Sequence, residues 1–128
     1  MSASRNPVGW FEIPVKNIER AQSFYEAILN IEMKRFDMGV LKMSWFPSNV
    51  EAHGSSGSLV EHEVHYTPKS DGGVIIYLEC DDVALALEKA KTLGGEIIQE
   101  KKQISPEHGY MGLLIDCEGN KIALHSAN

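Results

Sequence analysis

Only two cysteines, Cys80 and Cys117, occur in the chain, far apart in sequence. That excludes a disulfide framework, and both read as unpaired thiols, Cys80 in a strand pattern and Cys117 in a turn. No apolar run approaches the ~20 residues a membrane-spanning helix needs. The opening MSASRNP has no secretory-type apolar segment either. Lysine and arginine number 12 against 18 acidic residues, and Glu100-Lys101-Lys102 is too short for a basic patch. These absences predict a cytoplasmic protein with no membrane partner and no nucleic-acid partner. There is also no CxxC, no nucleophile elbow and no phosphate-cradling loop. Gly54-Ser55-Ser56-Gly57 is irregular and reads as part of a mobile lid.

What is present is a repetition. Residues 8–30 (VGWFEIPVKNIERAQSFYEAILN) and 73–95 (GVIIYLECDDVALALEKAKTLGG) each read as strand, cap and amphipathic helix. Superposed, Phe11, Ile13 and Val15 fall on Ile76, Leu78 and Cys80, and the cap Asn17 falls on Asp82. The helix face Ile18, Ala21, Tyr25, Ile28 falls on Val83, Ala86, Ala90, Leu93.

Strand 8–15 alternates, with Phe11, Ile13 and Val15 on one face and Trp10, Glu12 and Pro14 on the other. Asn17 suits a helix N-cap and Asn30 a left-handed exit. Segments 31–36 and 39–46 predict a hairpin turning at Asp37-Met38-Gly39, followed by a polar loop over 48–56 and a strand over 58–63. VHYTPKSDG at 64–72 has the proline and turn formers of a linker. A strand over 73–80 follows, then a helix over 82–93 stopped by Gly94-Gly95. Strands near 96–100 and over 108–115, a turn at 116–120 and a strand over 121–126 complete the chain. The prediction is one α+β domain over 1–128: repeat one about 8–63, linker about 64–72, repeat two about 73–126. Each repeat is βαβββ, and together they form a curved, half-closed mixed sheet. Its helices lie on the outer face, leaving the other face as a concave binding surface.

The opening IPVKNIERAQSFYEAILN and the closing DCEGNKIALH resemble the vicinal oxygen chelate superfamily. That superfamily includes glyoxalase I, extradiol dioxygenases, and the fosfomycin and bleomycin resistance proteins. The likeness covers residues 8–126, with Cys117 where the family's D-P-x-G-N turn has proline. It implies a site where metal-dependent members hold a divalent cation through His, Glu or Gln on the first, fourth, fifth and last strands. Carried over, the first-strand position falls on Trp10, the fifth-strand position on Ile75 and the last on Ala123. The fourth lies within 58–61. Trp, Ile and Ala lack the lone pair that coordination needs, so no cofactor is expected at the usual positions. A divalent metal on a relocated set, Glu12, Glu79 and His125, is the alternative; alternation points these and Tyr77 to the concave side.

Each candidate carries two readings. Trp10 either stacks a planar ligand, worth ~1 kcal/mol beyond burial, or plugs the former metal cavity. Glu12, if buried beside it, is either a ligand hydrogen-bonder or a general base beside a substrate carbonyl. Tyr77 and Trp45 are ligand contacts or core aromatics, and Met43 reads as packing. His108 and His125 are ligand contacts at the cleft mouth or solvated side chains. His53 lies in a loop. His62 and His65, three apart, are predicted on opposite strand faces and so not to form a metal pair. The leading functional expectation is a small-molecule binder without the usual metal. The alternative is a glyoxalase- or dioxygenase-type enzyme with a relocated metal or with Glu12 as catalytic base. An interaction module with a vestigial cleft comes third. The resemblance implies a homodimer in every case.

Overall fold

The computed structural model describes residues 6–128. Its elements are β1 (Phe11–Pro14), α1 (Ile18–Leu29), β2 (Lys34–Met38), β3 (Leu41–Trp45) and β4 (Gly57–Glu61), then β5 (Tyr77–Glu79), α2 (Val83–Thr92), β6 (Glu96–Ser105), β7 (Gly109–Ile115) and β8 (Lys121–Ser126). The βαβββ order thus occurs twice, as two four-stranded mixed sheets ordered β1-β4-β3-β2 and β5-β8-β7-β6. In each sheet the first strand lies parallel to the last, and the other pairs are antiparallel. Among the described residues no ladder joins the sheets, so the barrel stays open.

Both helices start where the sequence places a cap. Asn17 Oδ1 accepts from the Arg20 amide at 3.1 Å, and Asp82 Oδ1 accepts from the Ala84 amide at 2.9 Å. Each satisfies an amide that the first helical turn leaves free. Asn30 takes the left-handed exit at φ 55°. Strand alternation then decides burial. Ile13 and Val15 enter the core from the first repeat, and Ile122 and Leu124 from β8. Phe24 and Tyr25 of α1 and Leu87 of α2 meet them in one cluster, with the helices on one side of both sheets. No helix among the described residues is long and apolar enough to cross a membrane.

Several boundaries differ from expectation: β1 spans only Phe11–Pro14, and β4 ends at Glu61. The first hairpin turns at Gly39-Val40, with Met38 opposite Leu41, and Asp37 and Met38 remain in strand. Gly39 has φ +78°, which suits the first central position of a two-residue hairpin turn. The strand expected over 73–80 pairs only at Tyr77–Glu79, after Gly73 turns the chain at φ +88°. Finally, β6 is ten residues long rather than ending near 100. Its register slips three times against β7, so side-chain alternation is broken and the sequence does not show the strand's length.

The closing turn between β7 and β8 fastens the two repeats together. Asp116, 2% exposed, accepts from the Glu118 and Asn120 amides at 2.8 and 2.9 Å and from the Tyr25 hydroxyl at 2.5 Å. Burial, then the charge of Asp116, pushes the Tyr25 hydroxyl well above its ordinary range. Burial also raises Asp116, against the opposing pull of its donors. Glu118 accepts from the Lys16 and Asn17 amides at 2.5 and 3.0 Å and pairs with Arg20 at 2.8 Å. Asn120 donates to the Pro14 carbonyl at 2.7 Å. The DCEGN segment therefore anchors the start of α1 and the end of β1.

Candidate functional site

On the face turned away from the helices, ladder register sets residues in rows. Glu12, Ser58, Trp45 and Lys34 share one row across the first sheet, and Pro14, Val60, Met43 and Phe36 share the next. Ser58 and Val60 are fully buried, and Met43, read as packing, is buried too. Large rings cover them. Trp10, just before β1, meets Trp45 edge-on with centroids 5.4 Å apart, and Phe36 meets Trp45 at 4.4 Å. The Lys34 ammonium stands 5.5 Å from the Phe36 centroid. Trp10 remains 41% exposed and Trp45 38%, so the aromatic wall is open to solvent.

Glu12 sits at the end of this wall with both oxygens engaged. The Trp10 indole N–H donates to Oε2 at 3.2 Å, and the Tyr66 hydroxyl donates to Oε1 at 2.5 Å. The hydrogen bond to Glu12 is the main cause that raises the Tyr66 hydroxyl above its ordinary value. Glu12 is exposed, so the burial on which its reading as a base depended is not met. Tyr66 was not anticipated because it lies in the segment read as linker. Its signal was a lone aromatic ring among turn formers.

His62 and His65 also depart from expectation. They follow β4 in a turn, where a spacing of three brings side chains together rather than apart. Their rings stack at 5.3 Å and 19°, and the Tyr66 ring meets His62 at 6.2 Å. His62 Nδ1 accepts from the Val64 and His65 amides at 3.3 and 3.4 Å. Stacked rings hold their in-plane lone pairs side by side, not converging on one ion. His53 lies in the 50–54 turn region, away from this cluster.

The second sheet repeats the row pattern with other chemistry. Tyr77 lies beside Ala123 and Leu113, and Glu79 beside His125 and Met111. Tyr77 is 54% exposed, its ring uncrowded by the alanine opposite. His125 presents Nδ1 to the Glu79 carboxylate at 2.8 Å and Nε2 to the His108 carbonyl at 2.6 Å. Both partners only accept, so the protonated ring, with hydrogen on each nitrogen, is the form that satisfies both. The Glu79 hydrogen bond first, then the His108 carbonyl, raises the His125 pKa. His108 itself is exposed in the β6–β7 turn, its Nδ1 2.8 Å from Ser105 Oγ. The expected site residues thus form two groups: Trp10, Glu12 and Trp45 on one sheet, His108 and His125 on the other. Tyr77 stands on β5 beside the second group's strand.

The residues present do not suit the metal site that the resemblance implies. At three of its four carried-over positions nothing can ligate: the Trp10 indole offers an N–H donor already spent on Glu12, and Ile75 and Ala123 offer nothing. Of the relocated set, Glu79 and His125 bind each other, and Glu12 is held by Trp10 and Tyr66. Among the described residues, no three His, Cys, Asp or Glu side chains gather as ligands. Between the sheets, a cavity of about 450 Å³ separates β1 from β8 under the segment 67–76, with Glu12 on its wall.

A family model described as Glyoxalase/Bleomycin resistance protein/Dioxygenase superfamily matches residues 8–124. Solved structures give the same fold. A glyoxylase/bleomycin resistance protein/dioxygenase domain from Frankia sp. EAN1pec superposes with TM-score 0.71 at 14% identity, covering 98% of this chain and all of that one. A hypothetical protein from S. aureus gives 0.68 at 20% identity, covering 96% and 95%. Glyoxalase I from Zea mays gives 0.66 at 18% identity; 99% of this chain aligns with 48% of that one. No curated protein matches the chain by sequence. At such identities the structural likeness is one of fold, and the family model carries the kinship. The chain belongs to the Glyoxalase/Bleomycin resistance protein/Dioxygenase superfamily.

Proposed function

We propose that this protein binds a small, flat organic molecule against the Trp10–Trp45 wall, without the metal site usual in the family. One observation carries the reading: two solvent-open indoles, 5.4 Å apart, stand beside a carboxylate fixed by two donors. Aromatic wall and anchored acceptor together select a planar ring bearing a hydrogen-bond donor or a positive charge. The net charge of −6 favours a neutral or cationic ligand over a polyanion. A second copy of the chain, seated over the open faces, would bury Trp45 and Tyr77 and close the cleft. The protein is accordingly read as a cytoplasmic homodimer with no nucleic-acid or membrane partner.

The chain's two tryptophans are Trp10 and Trp45, so its indole fluorescence comes from this wall alone. Titrating a broad set of planar amines and neutral heterocycles should give at least one saturable quench. A wholly negative screen on folded protein refutes the reading. Native mass spectrometry of protein purified without tag or chelator tests the rest. A metal-free dimer supports it; a stoichiometric divalent metal overturns the metal-free reading and returns attention to Glu12, Glu79 and His125. If a turnover is found, Glu12→Gln tests the alternative reading of Glu12 as base, against which its exposure and two engaged oxygens stand; activity that survives the substitution excludes it.

A further inference from the structure

The cavity between the sheets carries charges that its own walls leave unpaired. Lys69 and Asp71 come from the crossing segment, Glu12 from β1 and Lys121 from β8. Two are cations and two anions. Yet the ion pairs among the described residues include none of the four. Among the described residues neither lysine ammonium donates a hydrogen bond, while Glu12 is fixed by Trp10 and Tyr66. The floor is fixed as well. Asn120 reaches from the closing turn to the Pro14 carbonyl at 2.7 Å and accepts from the Lys69 amide at 3.3 Å. Pro14, Val74 and Ile122 supply apolar wall.

Glu12, Lys69 and Asp71 are exposed and Lys121 is half-buried, so water solvates these charges in the free protein, and a ligand that carries both signs would pair with them together. We infer that this cavity binds a zwitterion of the α-amino-acid class. Its carboxylate would lie toward Lys69 and Lys121, its ammonium toward Glu12 and Asp71, and its side chain against the apolar wall. The volume of about 450 Å³ lies within the usual range for small-molecule sites and has room for an aromatic amino acid. The site shares Glu12 with the tryptophan wall but does not depend on a ligand there.

Three probes of nearly the same shape separate the charges: L-phenylalanine, 3-phenylpropanoate without the amine, and 2-phenylethylamine without the carboxylate. Amide chemical shifts of residues 69–74 and 120–122 in ¹⁵N-labelled full chain report binding, independently of indole fluorescence. L-Phenylalanine should shift them saturably. Each single-charge analogue should bind about tenfold more weakly or worse, the loss of one charge-assisted contact. In Lys69→Met/Lys121→Met, L-phenylalanine should bind no better than 2-phenylethylamine. Unchanged thermal unfolding of that variant establishes that it folds. Failure of L-phenylalanine to shift these amides, equal binding of either analogue, or undiminished preference in the lysine variant overturns the inference. Quenching of Trp10 and Trp45 by a planar ligand while these amides stay still would leave the wall reading standing and this one refuted.

Discussion

Tyr25→Phe removes one oxygen from the core and isolates the bond that joins α1 to the closing turn. Tyr25 is fully buried and Asp116 is 2% exposed, so no water replaces the lost hydroxyl without rearrangement. A hydrogen bond to a charged group contributes about 1.5–3 kcal/mol net. Asp116 keeps the Glu118 and Asn120 amides, which places the expected loss near the middle, about 2 kcal/mol. For a domain of this size that corresponds to a fall in Tm of roughly 6–10 °C. Urea denaturation monitored by circular dichroism gives the free energy directly, with an unchanged m-value as the check on two-state behaviour. The effect should also depend on pH. Burial already raises the folded Asp116 pKa, and Tyr25 is the largest influence pulling it down. A carboxyl whose folded pKa lies above its unfolded one loses stability as pH rises between the two, and the curve is flat above. Phenylalanine widens that window upward. The penalty of Tyr25→Phe should therefore be smallest near pH 4, grow through the window and level off beyond it. A penalty below about 0.5 kcal/mol at neutral pH, within the scatter of innocuous substitutions, would refute this account of the turn.

Gly112→Ala should cost about 1–3 kcal/mol by overpacking, because its Cβ would lie 2.8 Å from Val83 Cγ1 and 2.9 Å from Leu87 Cδ1. Gly9→Ala, which meets nothing within 4 Å, is the neutral control, and parallel urea curves compare them. The His125–Glu79 pair should stabilise the fold fully below about pH 6.5, the ordinary histidine value. That contribution should fade as pH rises through the raised folded value. The amplitude is small because the pair is solvent-screened. His125→Gln should flatten that part of the Tm–pH profile, and an unchanged profile would sink the assignment. Burial first of all pushes Cys80 and Cys117 to about 11. Native protein at pH 8 should thus react with a disulfide reagent far more slowly than protein in denaturant.

The fold was legible wherever one periodicity ruled a segment. Period-two alternation placed Ile13 and Val15 inside and Trp10 and Glu12 outside, and the caps Asn17 and Asp82 fixed both helix starts. Legibility failed where backbone geometry overrode the side-chain pattern. The slips in β6 hid a ten-residue strand, and a left-handed glycine moved the first hairpin turn. Trp10 and Glu12 could be placed on one face because the alternation of β1 runs on through the residue before it, whereas Trp45 stayed open between ligand contact and core. Tyr66, His62 and His65 could not, because a turn has no such period. The charges around the cavity were equally hidden, since Lys69, Asp71 and Lys121 meet Glu12 only across the seam of the two repeats.

The anchoring of α1 by the closing turn has a consequence for how the chain is made. The helix is synthesised well before the second repeat, yet its leading amides find Glu118 only about a hundred residues later. Its parallel strand β1 likewise waits for β4 to arrive. The nascent chain must therefore hold an unpaired strand edge until β4 emerges and an unfinished helix start until Glu118 does. Contacts this distant in sequence slow folding and expose edges meanwhile. A chain arrested before residue 116 would carry the whole aromatic wall on a first repeat with no clasp, a species for chaperones to shelter rather than a working half.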